Sequence, residues 1–250
     1  MALILSRAES ARVIPFAAFM LLLVVRDTVP PDGSWGIDPR WIYGVSVLVV
    51  GGLLARFWRE YGELVSQTLP TLGESALAAA VGLIVFGLWI NLDAPWMHLN
   101  DGIRLLVKQI AQWIHLDTPW LRQAEPSAGF IPKDANGQLL WPLIAVRWVG
   151  ASLLVPVMEE LFWRSFLMRW VQSPQFESVV PQQVGLKAVV LSTFVFMLAH
   201  TLWLAAIIAG LAYAWLYIRT GKLWVPIIAH AVTNGVLGVW VLQTQRWAFW

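Results

Sequence analysis

Apolar residues fall into long blocks separated by short polar breaks, and a helix needs about 20 such residues to cross a bilayer. The first block, roughly Val13 to Val25, is short and closes at Arg26-Asp27 and the turn-forming Pro30-Pro31-Asp32-Gly33. Trp41 to Phe57 is the second, flanked by Arg56 and Arg59, and Ser75 to Leu92 the third, ending at Asp93-Ala94-Pro95. Asp93 to Gln138 is the longest polar region. Within it Ile103, Leu106, Val107, Ile110, Trp113 and Ile114 recur at helical spacing, with Arg104, Lys108 and Gln112 on other faces. That pattern predicts either an amphipathic helix lying on a membrane or an ordinary surface helix packed on the loop. The fourth block opens at Leu139 and runs to Trp170 as a long or broken helix, with a kink expected where Pro156 frees the carbonyl of Ser152. Between Lys187 and Arg219 there is no formally charged residue, only His200, and the stretch divides into two short spans meeting near Thr201. The second of these carries Ala206, Gly210 and Ala214, a stripe of small residues that lets helices approach closely. Leu223 to Val241 is the last block. The pattern predicts an all-α, polytopic transmembrane helix bundle of seven to eight spans.

Composition agrees with the pattern. The 250 residues are 58% hydrophobic and 13% charged, and the mean hydropathy is +0.65, which is far from a soluble domain of average charge content. The apolar blocks are spread over nearly the whole chain, so residues 1–250 read as one membrane domain, with N-terminal spans and the polar loop over 1–138 and a polar-cored unit over 139–241. Seventeen tryptophans suit this reading, because indole rings collect at membrane interfaces. A net charge of +2 gives no argument for nucleic acid. With no cysteine there is no disulfide framework, thiolate metal site or cysteine nucleophile. Met1 to Arg12 has only a four-residue apolar run and no cleavage-like sequence follows the next block, so the first span is expected to be an uncleaved helix. Arg7, Arg12, Arg56, Arg59, Arg169, Lys187, Arg219 and Lys222 fall on one side of a seven-span arrangement, and Arg26, Arg40 and Arg246 on the other. With the long loop left out, that bias puts the N-terminus inside.

Three polar pairs interrupt the apolar blocks. In Glu159-Glu160-Leu-Phe-Trp-Arg164, Glu160 and Arg164 share a helix face in the favourable order for an ion pair, and Glu159 is turned about 100° away. Charges inside a membrane-length apolar segment cost from about 2.5 kcal/mol upward and are functional by default. A carboxylate left free in a dry site can act as a base. Phe196 and His200 are expected to share one face, and so are His230 and Asn234. At about 1.5 Å per residue, Glu159, His200 and His230 come out roughly 15, 20 and 12 Å from the same side of the membrane, close to the middle of a core about 30 Å thick. Each residue also has a plainer reading: Glu160–Arg164 as a structural ion pair, His200 as a packing residue, Asn234 as a bond between helices. Arg147, in the same block as the glutamates, is expected to snorkel to an interface.

In this order and on separate apolar segments, Glu159-Glu160-x-x-x-Arg164, Phe196-x-x-x-His200 and His230-x-x-x-Asn234 resemble the CAAX prenyl protease (CPBP, or Abi) family of intramembrane endopeptidases. The likeness covers about Leu139 to Val241, and the wording around the motifs is similar to the exosortase-associated, CAAX prenyl protease-related subgroup of bacteria. The resemblance implies that Glu159 is the general base and, with His200, binds and activates water. It implies that His230 and Asn234 form an oxyanion hole, and that Glu160, Arg164 and Phe196 support them. It further implies a membrane-anchored protein substrate cut near its C-terminus, a place in a bacterial inner membrane, and a link to an exosortase sorting system.

No cofactor is expected, although Glu159, His200 and His230 also form an acceptable zinc set with an open position for water. A non-catalytic membrane scaffold or immunity-type protein, with a polar core that is structural or holds a partner, is the competing class.

Overall fold

The structure, a computed structural model, describes residues 5–30, 34–65, 69–92, 109–114 and 130–250. The predicted amphipathic helix lies mostly outside the described residues; only its end is seen, with Trp113 and Ile114 exposed.

The blocks fold as helices, and the described residues contain no strand beyond one isolated bridge between Lys133 and Leu139. Helix α1 is Arg7–Thr28, α2 Ile42–Arg56, α3 Leu72–Asn91, α4 Trp141–Gln172, α5 Leu186–Leu198, α6 Trp203–Thr220 and α7 Trp224–Thr244. Five of them (α1, α3, α4, α6 and α7) are long and apolar enough to cross a membrane. At 15 and 13 residues, α2 and α5 are shorter than a full crossing needs, so five helices among the described residues have that length, against the seven to eight spans expected. The chain is an all-α bundle and an integral membrane protein.

Local signals explain the helix ends. Ser6 with Glu9 and Thr71 with Glu74 form capping boxes that satisfy the first N–H groups of α1 and α3. Gly221, at φ +70°, ends α6 in the left-handed conformation that glycine adopts without strain.

Packing depends on small residues and on buried ion pairs. A side chain at Gly82 of α3 would run into the carbonyl of Ala229 on α7, and one at Gly210 of α6 would press on Thr193 and Phe196 of α5. Arg12 of α1 donates to both oxygens of Glu63, in the single turn Gly62–Val65, and to Ser165 of α4, with all three buried. Burial alone would raise the Glu63 pKa, but the Arg12 charge and the hydrogen bonds from Arg12 and Ser165 outweigh it and hold the carboxyl below its usual range. Lys222 pairs with Glu74 at 2.8 Å, so the α6–α7 turn lies at the same end of the bundle as the start of α3. At the other end Arg40 donates to the carbonyls of Ile131 and Lys133, and the Phe130 and Trp250 rings meet edge to face.

Candidate functional site

Helix α4 carries both glutamates, and its backbone is not a plain α-helix. It widens to i→i+5 hydrogen bonding over Gly150–Leu154 and Leu161–Met168. Wide turns of this kind occur often at functional sites. The first begins with the Val155 N–H donating to the Gly150 carbonyl. The next donor in that register is residue 156, and Pro156 has no N–H. The carbonyl left open is therefore that of Ala151, not of Ser152 as the α register predicts. Asn234 of α7 fills it, its Nδ2 donating at 2.9 Å. In place of a break at Pro156, α4 continues through 32 residues.

The second glutamate is fully engaged at one oxygen. Glu160 has no exposed surface, and its Oε1 accepts from Arg164 Nη1 at 3.1 Å and from His230 Nδ1 at 3.0 Å. Arg164 also donates to the Gly210 carbonyl at 3.3 Å and lies over the rings of Phe196 and Tyr213. Tyr213 stacks on His230 with centroids 5.1 Å apart, and its hydroxyl donates to Thr233, which in turn bonds the carbonyls of Gly82 and Ala229. One ion-paired network thus ties α4 to α6 and α7, and Thr233 extends it to α3. With Nδ1 held by Glu160, Nε2 is the His230 nitrogen without a hydrogen bond among the described residues.

Both glutamates have a buried Oε2 with no hydrogen-bond partner, but Glu159, 9% exposed, has no hydrogen bond or ion pair among the described residues at its other oxygen either. Its charge lies within electrostatic reach of His200, Tyr43 and Tyr213. His200 does not sit on the helix that carries Phe196: α5 stops at Leu198, and His200 occupies the break before α6. A turn there still brings its Nδ1 to 2.7 Å from the Phe196 carbonyl and stacks the two rings at 4.2 Å. Trp89 of α3 closes on His200 edge to face at 5.8 Å, and Trp163 on Phe196 at 5.4 Å.

A cavity of about 1300 Å³ leads to this cluster. Its inner wall includes Ala151, Val155, Ala199 and His200, and Val155 is one turn before Glu159. Its mouth lies among Asp27, Gly36, Arg40, Ile131, Ala135 and Trp250, at the end of the bundle away from Glu74 and Lys222. Among the described residues no three His, Asp or Glu side chains converge as a metal-binding set, so the zinc arrangement of Glu159, His200 and His230 has no geometric support.

The spacing of polar residues led to Glu159, Glu160, Arg164, Phe196, His200, His230 and Asn234. The fold joins Glu160, Arg164, Phe196 and His230 in one network with His200 stacked on Phe196. Glu159 reaches His200 only through its charge, and Asn234 bonds the Ala151 carbonyl instead. The spacing did not lead to Tyr213 and Thr233, which look like ordinary helix residues, or to the Ala151 carbonyl. Arg147 lines the cavity with its guanidinium over the rings of Tyr43, Phe130 and Trp250.

Residues 141–236 match the model of the family described as type II CAAX prenyl endopeptidase Rce1-like. The matched segment contains every residue of the cluster from Glu159 to Asn234, whereas α1, α2 and α3 lie outside it. No curated protein and no solved structure matches the chain.

Proposed function

We propose that the protein is an intramembrane endopeptidase that uses Glu159 and His200 to activate water against a peptide bond near the C-terminus of a membrane-anchored protein. The observation that carries this reading is the contrast between neighbours: Glu160 is held at Oε1 by Arg164 and His230, with only Oε2 left over, whereas no hydrogen bond or ion pair among the described residues holds Glu159, whose charge reaches His200 on the wall of a cavity. An unpaired buried carboxylate costs stability, and general-base work gives a reason to keep one.

The proposed steps use only these side chains. The water oxygen bonds to the scissile carbonyl carbon as its proton passes to Glu159, with His200 holding the water. The oxyanion that forms is met by N–H groups of His230 and Asn234, a contribution of about 3 kcal/mol for a well-placed donor. The C–N bond then breaks, Glu159 returns the proton to the departing amine, and a carboxylic acid and an amine leave. Glu160 fixes the His230 ring through Nδ1, and the Ala151 carbonyl fixes Asn234. The exosortase-associated resemblance favours a bacterial inner-membrane setting and a sorting substrate.

Comparing the C-termini of membrane proteins in cells carrying the wild type or Glu159→Gln tests the reading. Loss of a general base is expected to slow cleavage by at least about 100-fold, so the shortened termini disappear in the variant although it accumulates in the membrane normally. Identical termini in the two strains would sink the protease reading and leave the scaffold alternative.

A further inference from the structure

Arg147 is a half-buried cation with no anion among the described residues. Its Nε is sealed from solvent and makes no hydrogen bond, and no carboxylate among the described residues reaches its guanidinium. Three rings from distant parts of the chain enclose it: Tyr43 at 4.8 Å, Phe130 at 4.6 Å and Trp250 at 5.8 Å. Rings stabilise a cation's faces but offer its in-plane N–H groups no acceptor. The hydroxyl of Tyr43 is also buried and unpartnered, and Tyr43 lines the same cavity. The acids near the mouth are already taken. Asp27 pairs with Arg26, Asp38 with Arg40, and Asp134 accepts from backbone N–H groups. Near its mouth the cavity therefore holds unused donors, and none of these acids reaches them.

The position of Arg147 gives these donors a use. Arg147, Ala151 and Val155 line the cavity at intervals of four residues, and Glu159 continues the series. In a plain α-helix each such step drifts about 40° around the axis. The wide turn over Gly150–Leu154 takes up that drift and keeps the stripe facing one way. Twelve positions of helix rise about 18 Å, a distance an extended chain covers in about five residues.

We infer that Arg147 and Tyr43 bind the C-terminal carboxylate of the substrate, and so measure the peptide from its end to place a bond about five residues upstream at Glu159. This rests on the protease reading above. A planar fork of N–H donors matches a carboxylate in bidentate fashion, and the phenol supplies one more donor. A chain terminus is the one carboxylate every substrate carries whatever its side chains.

The test is a binding experiment with the full chain in phosphatidylcholine nanodiscs, in a Glu159→Gln background so that nothing is cut. The probe is a fluorescein-labelled apolar hexapeptide, as free acid and as C-terminal amide, followed by fluorescence anisotropy. The acid is expected to bind at least tenfold tighter than the amide. Arg147→Gln should abolish that preference, Arg147→Lys should keep part of it, and Tyr43→Phe should reduce it with the ring retained. Size-exclusion profiles establish that each variant is folded. Equal or absent binding of acid and amide, or a preference that survives Arg147→Gln, overturns the inference. So does displacement of the acid by phosphatidylglycerol in an Arg147-dependent manner, which assigns the site to a lipid phosphate. The protease reading fails separately: an acid preference without any change of C-termini in cells removes that reading and leaves the carboxylate site standing.

Discussion

Arg164 is the residue on which the core network most depends. Its guanidinium is 3% exposed and neutralises Glu160, which is 0% exposed, while also bonding the Gly210 carbonyl and covering two rings. Removing one partner of a buried pair strands the other charge, at a cost of about 3–5 kcal/mol. Arg164→Ala is therefore expected to lower the thermal unfolding midpoint sharply, read by tryptophan fluorescence in detergent, whereas Glu159→Gln removes an unpaired acid and leaves the midpoint unchanged or higher. A smaller loss for Arg164→Ala than for a surface arginine such as Arg59→Ala would show that the network does not hold the core. The pair itself was legible, because i,i+4 spacing in an apolar block leaves few alternatives. The further grip of Glu160 on His230 was not, since seventy residues separate them and only tertiary packing brings Nδ1 to 3.0 Å. The surroundings of Arg147 were not legible for the same reason: its ring partners Tyr43, Phe130 and Trp250 come from three separate segments, and no local pattern links them.

At the scale of the element, α4 shows how a single proline can position a side chain on another helix. Pro156 withholds the N–H that the wide turn calls for, and Asn234 takes the Ala151 carbonyl that results. Pro156→Ala restores a backbone donor that competes for that oxygen. Asn234 then loses its anchor, and misplacement of this size costs about tenfold to a hundredfold in rate. Cleavage in cells is expected to fall by that amount while the melting midpoint stays level or rises, because a backbone hydrogen bond has been gained. A variant with full activity would mean that the Ala151 carbonyl does not orient Asn234. The apolar block and its proline were readable from sequence, and so was the general site of disturbance. The hydrogen-bond register was not: α and i→i+5 windings of the same residues differ by small local energies that α1, α2 and α7 decide by packing. The break after α5 was legible: the stretch from Lys187 to Arg219 divides near Thr201 in the sequence, and α5 stops at Leu198 and α6 starts at Trp203.

For the whole molecule, the side on which the cavity opens follows from charge and connectivity together. Arg7 bonds Glu60, Arg12 bonds Glu63 and Ser165, and Lys222 bonds Glu74, so the start of α1, the later part of α4, the start of α3 and the α6–α7 turn lie toward one end. That end carries most of the short-loop lysines and arginines, and such an excess marks the cytoplasmic face. The cavity mouth, among Gly36, Arg40, Ala135 and Trp250, is at the other end. The substrate's C-terminal carboxylate would then be held at Arg147 near the external face, with the chain upstream of it running deeper to Glu159. The absence of cysteine from the chain makes this directly measurable. In intact cells a membrane-impermeant maleimide is expected to label Ala135→Cys and Ile37→Cys at the mouth, and to label Gln183→Cys, on the opposite end, only after lysis. Adding the free-acid hexapeptide should protect Ile37→Cys, which lines the cavity, and spare a cysteine placed at exposed Asn136 outside it. The reverse labelling pattern would turn the molecule over in the membrane, and substrate tails would then have to approach from the cytoplasm.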